Sequence, residues 1–305
     1  MNVLNGLVPV FLLLGTGVAS RQMGLITEEA SVGLNRLVAN LALPALFIVT
    51  IGTSDLHRSF STALVATTSG LLVATTLVAL VAAVALRLPR RQRGVLAQAA
   101  MRGNLAYVAF PVILGAFGEA GLQQAAVTSA ILIPLMNLLA VGALEANRGE
   151  RVEAIVPLLR RVLANPLVIS ALAGLALASF GWQPWGWLGR TLGILSDFAL
   201  PGALLALGAQ LKIGAWGGLW RPTVLATALK LIVQPLAALW LLRAFGVAGV
   251  SLGVGVLLLA APTAVASYPV AAELDGDTDL AGACVLTTTL AGVVAYLAWS
   301  LVLAG

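Results

Sequence analysis

Apolar runs of about twenty residues recur along the whole chain, and short segments between them contain most of the charged residues. A run of this length crosses a hydrocarbon core about 30 Å thick as an α-helix. The runs are continuous and do not alternate in polarity, so they favour helices over the strands of a membrane barrel. We predict ten spans, at 2–19, 31–52, 60–86, 95–117, 121–144, 163–180, 190–211, 221–244, 249–273 and 280–304.

Composition indicates an all-α polytopic membrane protein. Of the 305 residues, 60% are hydrophobic and 10% are charged, whereas about a quarter of the residues of a soluble domain are charged. The ten spans leave no room for a soluble domain. One cysteine, Cys284, and one histidine, His57, cannot build a disulfide framework or a metal cluster. We therefore expect no cofactor, no metal site and no enzymatic activity.

The basic residues are distributed unevenly between alternate loops. The odd-numbered loops hold eleven Lys and Arg residues, and the even-numbered loops hold three. By the positive-inside rule the odd-numbered loops face the cytoplasm, so both termini lie outside the bacterial inner membrane. The net charge of +5 then reflects membrane topology, and nucleic acid is not an expected partner. The N-terminus lacks the basic region of a cleaved signal peptide, so we expect the first span to be retained.

Three short segments of the first half recur in the second half in the same order. Asn-Leu-Ala-Leu-Pro at 40–44 is followed 157 residues later by Asp-Phe-Ala-Leu-Pro at 197–201. Phe-Pro-Val at 110–112 is followed 158 residues later by Tyr-Pro-Val at 268–270. Asn-Gly-Leu-Val at 5–8 is followed 160 residues later by Asn-Pro-Leu-Val at 165–168. Five spans per half is an odd number, so the halves enter the bilayer in opposite directions, as in many secondary transporters. We predict two inverted five-helix repeats at 1–144 and 163–305, joined by a cytoplasmic connector at 145–162. Chance similarity between hydrophobic helices is the alternative.

Spans 4 and 9 contain the residues most able to interrupt a helix. Gly103, Asn104 and Pro111 lie in span 4, and Pro262 and Pro269 lie in span 9. A proline removes one helix hydrogen bond and sterically blocks another, which leaves backbone groups that a ligand can use. Inverted-repeat transporters bind their substrates near the midplane at such broken helices. We predict that spans 4 and 9 break and form the substrate site, with simple kinks as the alternative.

Polar residues inside the spans are the candidate site residues, because burying a charge in a bilayer is costly. Arg102 can bind a carboxylate through two parallel hydrogen bonds, although snorkelling toward the cytoplasm would also explain it. Asp197 and Lys230 are candidates for ion coupling or for a structural salt bridge. The neutral candidates near the breaks are Asn104, Tyr107, Pro111, Asn137, Pro262, Thr263, Ser267 and Tyr268.

Together these motifs resemble the auxin efflux carrier family, the bacterial relatives of the plant PIN-type carriers. The resemblance covers essentially the whole chain and is carried by 40–47 in span 2, Arg102, Gly103 and Asn104 with Pro111 in span 4, Pro134 to Asn137 in span 5, Lys230 with Pro235 in span 8, and Ala261 with Pro262 in span 9. It implies that spans 4 and 9 cross at their prolines with substrate beside Asn104. It also implies a scaffold of spans 1, 2, 6 and 7, a transport domain of spans 3–5 and 8–10, and a homodimer formed through spans 2 and 7.

We therefore expect a secondary active transporter, an exporter of a small organic anion or carboxylate, that works by an elevator-like shift of the transport domain. Its partners are the substrate and the lipid bilayer, and coupling to protons or to sodium is left open. The alternatives are a sodium-coupled organic-anion symporter of the bile-acid type and a membrane sensor that binds its ligand without transporting it.

Overall fold

The computed structural model describes residues 3–148, 160, 163–211 and 218–304, and all regular elements in these ranges are helices. They are α1 (Val3–Gln22), α2 (Glu28–Gly52), α3 (Thr62–Ala85), α4 (Arg90–Met101), α5 (Leu105–Asn147), α6 (Pro166–Ser179), α7 (Gly186–Gln210), α8 (Trp220–Ala244), α9 (Gly249–Leu259), α10 (Ser267–Glu273) and α11 (Thr278–Ala304). A single helical turn, Leu56–Ser59, precedes α3. Most of the predicted connector at 145–162 lies outside the described residues.

Membrane-spanning character is concentrated in six of these helices. By length and composition α2, α3, α5, α7, α8 and α11 can each cross a membrane. The described parts of α1, α6 and α9 are apolar but shorter. Long apolar helices of this kind satisfy their own backbone hydrogen bonds, which is the requirement for crossing lipid.

Most predicted spans coincide with one helix, but spans 4 and 9 do not. Span 4 is divided between α4 and the beginning of α5, and span 9 is divided into α9 and α10. Spans 4 and 5 meet at Gly118, where α5 is kinked between two helical parts. Gly118 has a φ of 65° and a ψ of −162°, a conformation that is open to glycine and strained for other residues. The boundary predicted between spans 4 and 5, at 118–120, therefore coincides with this kink.

Three helices contain a turn of π-helix immediately before a proline. The turns are Val38–Ala42 before Pro44 in α2, Leu105–Ala109 before Pro111 in α5, and Leu229–Val233 before Pro235 in α8. In each case the residue preceding the proline donates its backbone N–H to the carbonyl five residues earlier. Proline has no N–H and its ring collides with the carbonyl four residues earlier. The wider π turn separates the proline ring from this carbonyl.

We divide the helices into two groups, and α5 of the second group also packs against α1 and α6 of the first. In the first group α1 packs against α7, and α2 packs against α6 and α7. In the second group α4 packs against α3 and α5, and α8 packs against α3, α9 and α11. The crossing of α1 and α7 is very close, since a Cβ atom on Gly17 would lie 2.5 Å from the backbone oxygen of Leu205. The first group corresponds to spans 1, 2, 6 and 7.

Candidate functional site

Two interruptions of the helices meet inside the second group. One lies between α4 and α5, at 102–104, and the other lies between α9 and α10, at 260–266. Gly103 and Thr263 form an isolated antiparallel bridge. The backbone N–H of Asn104 donates to the oxygen of Pro262 over 2.8 Å, and the N–H of Ala264 donates to the oxygen of Arg102 over 3.0 Å. The two non-helical segments therefore satisfy each other's backbone groups.

Thr263 fixes this pairing from the side away from the cavity described below. It is fully buried, and its hydroxyl donates to the backbone oxygen of Ala99 over 2.8 Å. Its backbone N–H donates to the hydroxyl oxygen of Thr288 on α11 over 3.0 Å. Both polar groups of Thr263 are thus used within the protein. This residue, predicted as a ligand contact, holds the two breaks in place.

A cavity of about 600 Å³ lies against the paired breaks and extends between the two groups of helices. The polar residues that line it are Arg21, Glu28, Ser31, Asn35, Asn40, Arg102, Asn104, Tyr107, Asn137, Asn165, Gln210 and Tyr268. Five of the predicted site residues are among them, namely Arg102, Asn104, Tyr107, Asn137 and Tyr268. Pro111, Pro262, Thr263 and Ser267 are not among the lining residues. Small-molecule sites are commonly concavities of this size with a few convergent polar groups.

Arg102 carries positive charge into the wall of the cavity and is held by neutral partners. Its Nη2 donates to Oδ1 of Asn137 over 2.7 Å, and its Nη1 donates to Oε1 of Gln98 over 3.2 Å. Gln98 is fully buried and donates its Nε2 to the backbone oxygen of Ser267 over 3.0 Å. The network orients the guanidinium without supplying a counter-charge from any described residue.

Asn104 presents a polar side chain that the described part of the protein does not satisfy. Only 6% of the residue is exposed, yet its carboxamide makes no hydrogen bond to another described residue. It lines the cavity immediately before the first turn of α5. The first backbone N–H groups of a helix have no partner within the helix and favour a negative charge. The Asn104 amide and this helix start are therefore open to an anion.

Tyr107 connects the two groups of helices across the cavity. Its hydroxyl donates to Oδ1 of Asn35 on α2 over 2.7 Å. Sequence reasoning did not select Asn35 or Gln98. The spacing of Gln98, four residues before Arg102, was a usable signal because residues four apart share one face of a helix.

The two other predicted charges lie away from the cavity lining. Asp197 is exposed on α7, and Lys230 is fully buried in α8. The Nζ of Lys230 donates to the backbone oxygen of Met101 over 3.1 Å and to Oε1 of Gln234 over 2.7 Å. Lys230 forms no ion pair with Asp197 in the structure, and a coupling role of either residue stays a prediction.

Comparison with known proteins places the chain among transporters. Residues 2–300 match the family described as membrane transport protein. The chain is 27% identical to an uncharacterized transporter of Methanothermobacter thermautotrophicus, and the match covers 96% of each chain. It is 29% identical to a Rhizobium meliloti protein provisionally named a malonate transporter, and that match covers 96% of this chain and 93% of the relative. An uncharacterized transporter of Methanocaldococcus jannaschii is 25% identical, again over 96% of each chain. The chain therefore belongs to the membrane transport protein family, which confirms its resemblance to the auxin efflux carriers and makes it a membrane-spanning transporter rather than an enzyme.

Proposed function

We propose that this protein is a secondary active transporter that exports a small organic anion bound at the paired breaks. The observation that carries the proposal is one cavity lined by Arg102 and by Asn104, whose carboxamide forms no hydrogen bond with a described residue. A carboxylate accepts hydrogen bonds from both groups, and a charge-assisted bond is about twice as strong as a neutral one. An anion also compensates the Arg102 charge, which described residues leave without a counter-ion.

A short carboxylate is the substrate class that the cavity supports best. Its volume of about 600 Å³ accommodates a small molecule with accompanying water. Glu28, the acidic residue in the lining, forms an ion pair with Arg21 over 3.3 Å. The remaining lining charge is positive, which favours an anion. The relative provisionally named a malonate transporter is consistent with this class.

Alternating access would follow from the two groups of helices. In this proposal α1, α2, α6 and α7 form a scaffold, and the second group carries the substrate past it by an elevator-like movement. The offset of 158 residues that relates Asn104 to Pro262 supports an inverted repeat, since the two breaks meet at these residues. The cavity lining includes Arg21 and Gln210 at the ends of α1 and α7, next to loops that the charge bias assigns to the cytoplasm. In this proposal the conformation is inward-open and both termini lie outside the bacterial inner membrane. A homodimer forms through α2 and α7.

Flux measurements in proteoliposomes test the proposal. Acetate, malonate and succinate are offered with and without a sodium gradient and with and without a pH gradient. Wild-type protein should move at least one of them, and Asn104→Ala should lower that flux by about 10- to 150-fold, the worth of one hydrogen bond to a charged group. Asn40→Ala is the matched control, because Asn40 also lines the cavity but its amide already donates to the oxygen of Arg36 over 2.8 Å.

The same experiment separates the alternatives. Flux that requires sodium favours a sodium-coupled symporter of the bile-acid type. Binding measured by thermal shift without any flux favours a sensor. Undiminished flux through Asn104→Ala contradicts the site assignment, whatever the substrate.

A further inference from the structure

Lys230 is a buried cation that the cavity does not expose. It is fully buried, and its two hydrogen-bond acceptors, the Met101 carbonyl and the Gln234 amide oxygen, are neutral. It forms no ion pair with an acidic residue in the described ranges. A buried ion that lacks a counter-charge is strongly destabilising, so a group of opposite charge is expected nearby.

The helix end that Lys230 contacts compensates its charge only in part. Met101 is the last residue of α4, so its carbonyl belongs to the negative end of the α4 dipole. Such an end is equivalent to about half an elementary charge. In its protonated form the ammonium carries a full charge. Part of its positive field therefore extends beyond α4.

Gly103 separates this ammonium from the cavity. Gly103 lines the cavity, and a Cβ atom built on it would lie 3.2 Å from the Nζ of Lys230. The positive charge thus lies one layer of backbone behind the wall that carries Arg102 and Asn104. With Gly103 between them, a ligand carboxylate in contact with that wall lies on the order of 8 Å from the ammonium, a separation at which charges still interact appreciably at an effective dielectric constant of about 20.

We infer that Lys230 supplies a second, fixed positive charge to the anion site from behind Gly103, and that this charge favours dicarboxylates over monocarboxylates. The inference rests on the proposed function. Arg102 contacts the ligand directly, whereas Lys230 acts through its field and touches no ligand. Lys230 is therefore a specificity-determining residue whose effect grows with the charge of the ligand.

The magnitude follows from the distance. A unit charge about 8 Å away, at an effective dielectric constant of about 20 and with half of its field offset by the α4 dipole, changes the affinity for a monoanion by on the order of tenfold. A dianion interacts through both charges, so its affinity changes several-fold more. A purely structural Lys230 would affect both ligands equally.

The test compares ligands of one shape and different charge. Malonate and succinate are each compared with the corresponding monoamide in binding titrations of the purified full chain. The pH is the lowest at which every ligand carboxyl is ionised, because a low pH keeps Lys230 protonated. Wild-type protein should bind at least one dicarboxylate tenfold or more tighter than its monoamide. Lys230→Met, which keeps the length of the side chain, should weaken the monoamide about tenfold and reduce the preference for the dicarboxylate by at least threefold.

Controls and a second variant complete the experiment. Arg243→Met removes the same charge from an exposed position on α8 and should change neither affinity. Lys230→Arg retains the charge and should retain the preference. An equal loss of affinity for both ligands in Lys230→Met overturns the inference. A wild-type protein that shows no preference for the dicarboxylate overturns it as well, and this second measurement does not depend on whether the variant folds. Wild-type protein that neither binds nor moves any carboxylate instead contradicts the proposed function.

Discussion

Substitution of Arg102 by glutamine is expected to lower the affinity for the transported anion more than any loss of charge outside the cavity. The guanidinium is held over 2.7 Å by Asn137 and over 3.2 Å by Gln98, both neutral. A ligand carboxylate thus gains a charge-assisted hydrogen bond of about 1.5–3 kcal/mol. Its loss corresponds to an affinity about 10 to 150 times lower. Glutamine still reaches one of the two amide partners, so the fold should be retained.

Titration calorimetry of the purified protein with the best carboxylate of the flux panel measures this loss. Arg102→Lys keeps the charge, but one ammonium does not reproduce the planar fork that engages both amides, so its affinity should fall between those of wild type and glutamine variant. Arg58→Gln is the control, because this side chain is 89% exposed and should leave the affinity unchanged. An Arg102→Gln protein that binds every carboxylate within twofold of wild type refutes the reasoning.

Three further substitutions test the contacts around the cavity. Tyr107→Phe removes the hydrogen bond to α2, which is worth about 0.5–1.5 kcal/mol. The flux should change by about two- to tenfold, while the affinity for substrate stays nearly constant. An unchanged turnover argues against a link between the helix groups. Gly17→Val forces α1 away from α7 and should lower the melting temperature by several degrees. Gly15→Val, with open space around it, should leave the melting temperature unchanged. Equal melting temperatures of the two variants contradict the close packing of α1 on α7. Thr263→Val leaves the buried carbonyl of Ala99, near the end of α4, without its hydrogen bond. The variant should be about 1–3 kcal/mol less stable in denaturant unfolding. A variant as stable as wild type means that the Thr263–Ala99 hydrogen bond is dispensable.

The positions of the helices and of both breaks were predictable because they depend on local sequence. Apolar length defines a span, and the polar residues Arg102 and Asn104 inside an apolar run marked the position of one break. Pro262 marked the other. The boundary predicted between spans 4 and 5 coincides with the kink at Gly118, where two helical parts of α5 meet. The charged residue Glu119 follows this glycine, so a gap in the apolar pattern marks the same position.

Contacts between distant helices were not predictable from one sequence. Lys230 and Asp197 both lie within apolar runs, but the faces that α7 and α8 turn toward each other depend on packing, and Lys230 contacts the end of α4 instead. The partner of Tyr107 is Asn35, seventy-two residues away. Thr263 lay at the predicted break but does not line the cavity, because its side chain points to the carbonyl of Ala99. Residue chemistry alone could select these residues as candidates, and the packing of the helices decides which groups they contact.

The three π turns change how the sequence of this family can be compared between members. Each turn contains one residue more than an α turn would, so the side chains that follow are rotated by about 100° around the helix axis relative to those that precede it. The apolar face of α2 and α8 therefore shifts by one position partway along the helix. A relative that lacks Pro44 or Pro235 does not need the extra residue of the π turn. A one-residue gap opposite 38–42 or 229–233 in its alignment would keep equivalent side chains on the same face of the helix. A one-residue gap or insertion elsewhere in these spans would move them to another face.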